Sequence, residues 1–117
     1  MADSSKEKFI EDISKMADAI GALHDHAVSA YTPLVNDICS RKAKEDEVDY
    51  LLTRMFDFVG YEKMLLLFKK VCRAYLYTYP ETVAFYILEY RRHYDRESLM
   101  GTKYEYLLEK DKELFEE

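Results

Sequence analysis

The sequence predicts an all-α protein in which residues 1–117 form a single domain, a compact antiparallel bundle of five to six helices. Apolar side chains recur at steps of three and four residues through most of the chain, which is the spacing of amphipathic helices. The 117 residues include only 3 glycines and 2 prolines, whereas β-rich domains need many turn residues. Strand-type alternation is confined to residues 75–79, within a stretch of helical spacing.

The first helix is predicted to run from Ser4 to Tyr31. Its apolar residues alternate between steps of four and three, which predicts a helix packed along its whole length; they are Phe9, Ile13, Met16, Ile20, Leu23, Ala27 and Ala30. Alanine and glycine are frequent in its second half, where they let a neighbouring helix approach closely. Thr32 and Pro33 then predict a short second helix, with a kink in one continuous helix as the alternative.

The next two helices follow a charged loop over residues 41–47. The third helix is predicted to begin at Asp46 or Glu47, and Gly60 has the position of its C-terminal cap. The fourth helix, over residues 61–77, is the most apolar and carries apolar residues on more than one face. It is therefore predicted to be the central element of the bundle.

The last part of the chain predicts two further helices. Thr78 and Glu81 have the spacing of a capping box around Pro80, so the fifth helix is predicted to begin there and to end near Tyr94. Thr102 begins the last helix after a break. Its apolar residues are Tyr104, Leu107, Leu108, Leu114 and Phe115.

Composition and charge limit the class of protein. With 49% hydrophobic and 34% charged residues, the chain is too apolar for intrinsic disorder and too charged for a membrane protein. Its start, MADSSKEKF, lacks the basic and apolar regions of a signal peptide, which predicts a cytoplasmic location. The net charge of −6 is uneven, because a basic segment over residues 63–96 lies between acidic ends.

The histidines do not have the spacing of a metal site. His24 and His26 point about 200° apart on a helix, so they cannot bind one ion. The sequence favours His24 as a histidine at the core edge, and a phosphate-accepting histidine is the alternative. Glu89 and His93 lie one helical turn apart, but they lack a third ligand. No metal is predicted.

The remaining motifs of catalysis are also missing. Cys39 and Cys72 match no metal or redox spacing and are interpreted as reduced thiols. Glycines occur only at positions 21, 60 and 101, so a phosphate-binding loop cannot be built. No catalytic or cofactor-binding residue is predicted, no cofactor is expected, and the chain is predicted not to be an enzyme.

Tyrosine and basic residues provide the strongest indication of function. Six of the 11 tyrosines fall within residues 75–94. Tyrosine and arginine often anchor protein interfaces, which predicts a partner-binding face. The alternative is that arginines cover tyrosine rings within one molecule. The predicted partner-binding residues form two outward stripes. The first stripe, on the fourth predicted helix, is Lys69, Arg73 and Tyr77. The second stripe, on the fifth, is Phe85, Arg92 and Arg96.

The leading hypothesis is a small non-enzymatic protein that binds another protein as an adaptor, assembly subunit or inhibitor, including one encoded by a mobile element. The first alternative is nucleic-acid binding, in which the basic stripes contact phosphate and tyrosines stack on bases. The second is an acidic nucleic-acid mimic that uses Glu45, Asp46, Glu47 and Asp49 to inhibit a nucleic-acid enzyme. The sequence also leaves a homo-oligomer open.

Overall fold

The computed structural model describes residues 2–108, with side chains from residue 5 onward. It contains four α-helices, α1 (Ala2–Ser40), α2 (Glu45–Phe56), α3 (Glu62–Tyr75) and α4 (Pro80–Tyr94), followed by a 3₁₀ turn at Arg96–Leu99. Within the described residues there is no strand, which confirms the all-α prediction. Residues 106–108 are again helical, but Leu114 and Phe115 of the predicted last helix lie outside the described residues.

Helix α1 is one continuous helix with Pro33 inside it. The predicted short second helix is therefore wrong, and the alternative of a single helix is correct. Thr32 does not act as an N-cap, because its hydroxyl donates a 2.6 Å bond to the carbonyl of Val28 one turn earlier. Pro33 removes only one backbone donor. Beyond it, Val35 and Ile38 are buried in the core and hold this end of α1 in place.

The N-terminal half of α1 does not pack against the rest of the chain. Seven apolar residues, from Phe9 to Ala30, are predicted to pack along α1. Of these only Ala27 is buried, and Leu23 is 59% exposed. The radius of gyration is 18.7 Å, compared with about 13 Å for a compact domain of this length. The prediction of a helix buried along its whole length is therefore wrong, and the compact part of the fold begins near His24.

Helix α3 is the central element, as predicted, because it packs against α1, α2 and α4. Its side chains Met64, Phe68 and Val71 are at most 2% exposed. Burying a side chain of this size contributes roughly 1.5–3 kcal/mol. The other helices contribute further fully buried residues to the same core, among them Val35, Val48, Leu52, Met55 and Val83.

An ion pair closes the loop between α1 and α2. The guanidinium of Arg41 donates to both carboxylate oxygens of Glu47 at 3.1 and 2.9 Å. Glu47 also accepts a 2.8 Å bond from the backbone N–H of Lys44 at the start of α2. Arg41, followed by the Lys44 amide, lowers the pKa of Glu47 to about 2. Helix α2 begins at Glu45, one residue before the predicted range.

Two predicted helix caps are not formed. Among the described residues only Gly101 has a positive φ, so Gly60 does not end α2 in the left-handed conformation. Gly60 lies beside the ring of Tyr94 at the end of α4, and a β-carbon there would lie 3.4 Å from that ring, which is van der Waals contact. Pro80 occupies the first turn of α4 as predicted, but the N-cap is Tyr79 and has no side-chain cap bond. The predicted Thr78–Glu81 capping box is therefore wrong.

Candidate functional site

Three tyrosines of the tyrosine-rich region hold the fold together. The hydroxyl of Tyr75 lies 2.6 Å from the carbonyl oxygen of Ile38 and accepts a 2.9 Å bond from the N–H of Ala43. Tyr79 donates to the carbonyl of Ala43 at 2.7 Å, and its ring stacks on that of Tyr75 at 5.7 Å. Tyr86 donates to the carboxylate of Asp49 at 2.7 Å. These three tyrosines are therefore committed to contacts within the fold.

The first predicted stripe lies at the junction of α3 and α4. Lys69 and Arg73 line a groove between these helices. Tyr77 lies beyond the end of α3 and is 93% exposed, but it is not part of the groove lining. The structure therefore brings two of these three residues to one concave surface.

The second predicted stripe faces a different side of α4. Phe85 lines a shallow depression with Thr53 and Phe56 of α2. Arg92 pairs with Glu89 of the same depression at 3.2 Å, and Arg96 donates to the carbonyl of Arg92. The six predicted partner-binding residues therefore do not form one continuous face.

A groove between α3 and α4 forms a concave surface. Its volume is about 440 Å³. Its apolar floor and walls consist of Leu65, Phe68, Cys72, Leu76, Ile87 and Tyr90. Tyr90 is held by stacking on Tyr94, with the ring centres 5.2 Å apart. We refer to this surface as the α3/α4 groove.

Charged side chains surround this apolar floor. Lys69 and Arg73 lie one turn apart on α3, and Arg91 lies on α4. Asp95 is the one acidic residue in the lining, so three cations face one anion. Sequence reasoning missed Ile87 and Arg91 as members of the site. Their spacing of one helical turn was the available signal, because it matches that of Lys69 and Arg73 on the facing helix.

The acidic residues considered for nucleic-acid mimicry are largely engaged within the molecule. Glu45 accepts a 2.7 Å bond from the hydroxyl of Thr82. Asp49 accepts from Tyr86, and Glu47 is paired with Arg41. Three of the four carboxylates therefore connect α2 to its neighbours, and their orientation is set by the fold.

The histidines lie at helix junctions. The ring of His24 is half-buried, with its centre 5.0 Å from that of Tyr61. Tyr61 donates a 2.6 Å bond to Asp25, which lowers the pKa of that carboxyl. His93 lies 3.7 Å from Glu89. No group of three potential metal ligands occurs among the described residues.

Both cysteines are free thiols. Burial raises the pKa of Cys72 to about 12, and it also raises that of the half-buried Cys39. A raised pKa keeps the thiol protonated at neutral pH, which lowers its reactivity. Within the described residues, no helix has the length and apolar character needed to span a membrane.

Comparison of the chain with protein families, with curated proteins and with solved structures found no match.

Proposed function

We propose that this chain is a non-enzymatic cytoplasmic protein that binds another protein through the α3/α4 groove, and that the partner presents an acidic amphipathic helix. The observation that carries the proposal is an apolar floor with Lys69, Arg73 and Arg91 around it. A groove between two helices receives the apolar ridge of a third helix. Acidic residues beside that ridge would then meet the three cations.

The groove also has the composition of an interface centre. Tyrosine and arginine are enriched in binding anchors, and Tyr90, Arg73 and Arg91 provide both types. Leu76 is 37% exposed at the edge of the apolar floor, so a partner would cover apolar surface that is now open to water. This burial would supply affinity, while the cations would supply specificity and association rate.

The groove supports protein binding over the nucleic-acid alternatives. Base stacking needs a row of aromatic faces that a strand can reach. The hydroxyls of Tyr75, Tyr79 and Tyr86 bind inside the fold, and the exposed Tyr77 lies outside the groove lining. A mimic of nucleic acid needs carboxylates facing a partner. Glu45, Glu47 and Asp49 instead bind groups of their own chain.

A designed peptide tests this proposal. The probe is a fluorescent helical peptide with a leucine stripe flanked by glutamates, and fluorescence anisotropy measures its binding. Arg73→Glu and Arg91→Glu are each expected to weaken binding by about 10-fold or more, as losses at interface anchors do. Lys42→Glu is the matched control, because Lys42 is exposed and lies outside the groove.

A second peptide, with lysines in place of the glutamates, separates charge-complementary binding from nonspecific hydrophobic binding. Only the acidic peptide is expected to bind. Equal binding of both peptides, or equal losses with Arg73→Glu and Lys42→Glu, would overturn the proposal. Binding of single-stranded RNA in the same assay, with an affinity that falls steeply as salt rises, would instead establish the nucleic-acid alternative.

A further inference from the structure

The N-terminal half of α1 projects from the rest of the molecule. Every residue from Ser5 to Ile20 is exposed, and Gly21 is the first half-buried position. Contacts with the start of α3 are made by His24 and Asp25. At ~1.5 Å per residue, the projecting segment is roughly 30 Å long. It accounts for much of the 63 Å longest dimension of the protein.

This projection carries a continuous apolar stripe. Phe9, Ile13, Met16, Ile20 and Leu23 follow one another at steps of 4, 3, 4 and 3 residues, and each is between 49% and 65% exposed. The mean step of about 3.5 residues is the repeat of a coiled coil, in which such a stripe faces a second helix. We call these five residues the α1 stripe.

The exposed apolar area is large for a protein without a partner. Ile10, beside the stripe, is 58% exposed as well. At roughly 100 Å² for each of six half-exposed large side chains, the total is on the order of 600 Å². If each copy covers this area of the other, the two copies together bury about 1,200 Å² of surface. This is the lower bound for a stable, specific interface.

The second half of α1 offers a complementary surface on the same face. There Ala27 is buried in the chain's own core, and the exposed positions of the same spacing are Ala30 and Leu34, which is 50% exposed. Ala30 and Leu34 also line a groove of about 560 Å³ between α1 and α2, together with Tyr50. Bulky exposed side chains thus occupy the N-terminal half of the helix, and an open groove beside Ala30 lies on the other half.

We propose that two copies of this chain pair through α1 in antiparallel orientation. Ile13 of each α1 stripe then lies over Ala30 of the other copy, and Phe9 enters the groove beside Leu34 of the other copy. Near the two-fold axis, Ile20 of each copy packs against Leu23 of the other. This pairing is isologous, so the same contacts form twice and the assembly closes as a dimer. The α3/α4 groove shares no residue with this interface, and the dimer does not depend on the proposed function.

Sedimentation equilibrium of the purified 117-residue chain over a range of concentrations tests the pairing. The wild type is expected at about twice its 13.9 kDa chain mass. Ile13→Asp and Ile20→Asp are each expected to shift the dissociation constant by more than 100-fold, because each places two charges in the apolar seam. Ser14→Asp, one residue outside the stripe, is expected to leave the dimer intact. Circular dichroism should show all three variants helical, since these side chains are exposed in the single chain.

A monomeric wild type at high micromolar concentration would overturn the proposal, and so would dimers that survive both isoleucine changes. Loss of the dimer in Ser14→Asp would also overturn it. Orientation is tested by disulfide crosslinking of Phe9→Cys with Leu34→Cys in a Cys39→Ser background. These positions are about 37 Å apart along one helix, so a bond between them must join two copies. Crosslinking by Phe9→Cys alone would mean parallel helices and would overturn the antiparallel arrangement.

Discussion

The backbone N–H of Ala43 donates a 2.9 Å hydrogen bond to the hydroxyl of Tyr75. Both residues are buried, with 1% and 4% of their surfaces exposed. Ala43 lies in the loop between α1 and α2, and Tyr75 is the last residue of α3. The same hydroxyl lies within hydrogen-bonding distance of the carbonyl oxygens of Ile38 and Arg41. One phenol group therefore bonds backbone groups at the end of α1 and in the loop that follows it, and the N–H of Ala43 among them is buried.

Loss of this hydroxyl is expected to destabilise the fold. Tyr75→Phe keeps the ring but leaves the buried N–H of Ala43 without its acceptor, which costs ~1–3 kcal/mol. The free energy of unfolding, measured with urea, is expected to fall by that amount. Tyr77→Phe is the control because Tyr77 is 93% exposed, and a change within about 0.5 kcal/mol is expected. Equal effects of the two changes would contradict the assigned role of Tyr75.

A second stability prediction concerns the centre of α3. Phe68→Ala removes a side chain that is 2% exposed, and the cavity it leaves is expected to cost ~3–5 kcal/mol. Leu66→Ala, on the same helix, removes a side chain that is 60% exposed and is expected to cost less than about 1 kcal/mol. Chemical denaturation of both variants measures the difference. Similar losses would mean that the phase of α3 is wrong.

The helical periodicity of α3 could be read from the sequence because a central helix buries apolar residues on several faces. The same reasoning failed for α1. A four-three repeat is satisfied equally well by burial against the same chain or against another chain. The spacing of Ile13, Met16 and Ile20 therefore predicts a packed face, but it does not identify the partner.

Local signals also competed with packing at Thr32 and Pro33. Their order is that of an N-cap followed by a first-turn proline, yet Thr32 bonds to the carbonyl of Val28 within a continuing helix. Breaking an α-helix at proline saves roughly 3 kcal/mol. Burial of Val35 and Ile38 beyond the proline offsets that cost. Such contacts with distant helices cannot be read from a window of neighbouring residues.

The candidate groove could be predicted only on its α3 side. The spacing of Lys69 and Arg73 predicts that they share a binding surface, and both residues line the groove. On α4 the sequence predicts Phe85 and Arg92 as binding residues, whereas the groove is lined by Ile87 and Arg91. Tyr86 is buried by its bond to Asp49, more than 30 residues away. That distant contact sets the rotation of α4, and local periodicity does not contain it.

A third prediction concerns stability at low pH. The pKa of Glu47 in the folded protein is about 2, against an ordinary value of 4.5. Because the folded pKa is the lower one, the Arg41–Glu47 pair stabilises the fold above pH 4.5 and loses this effect as the pH falls toward 2. In melting curves between pH 6 and 2, Glu47→Gln is expected to show a smaller fall in melting temperature than the wild type. Asp46→Asn, at the exposed neighbouring position, is the control, and its curve is expected to follow that of the wild type. Parallel curves for the wild type and Glu47→Gln would contradict the prediction.

The last prediction compares two candidate binding surfaces, one on each side of α4. Arg73 and Phe85 are both exposed, so Arg73→Glu and Phe85→Ser are each expected to change the free energy of unfolding by less than about 1 kcal/mol. Their effects on binding should differ, because Arg73 lines the α3/α4 groove whereas Phe85 lines the depression beside α2. Affinity for the acidic helical peptide is expected to fall by about 10-fold or more in Arg73→Glu and to remain unchanged in Phe85→Ser. Anisotropy titrations and urea unfolding of the same preparations measure both quantities. The opposite result, with binding lost in Phe85→Ser alone, would move the binding surface to the depression between α2 and α4, where Arg92 pairs with Glu89.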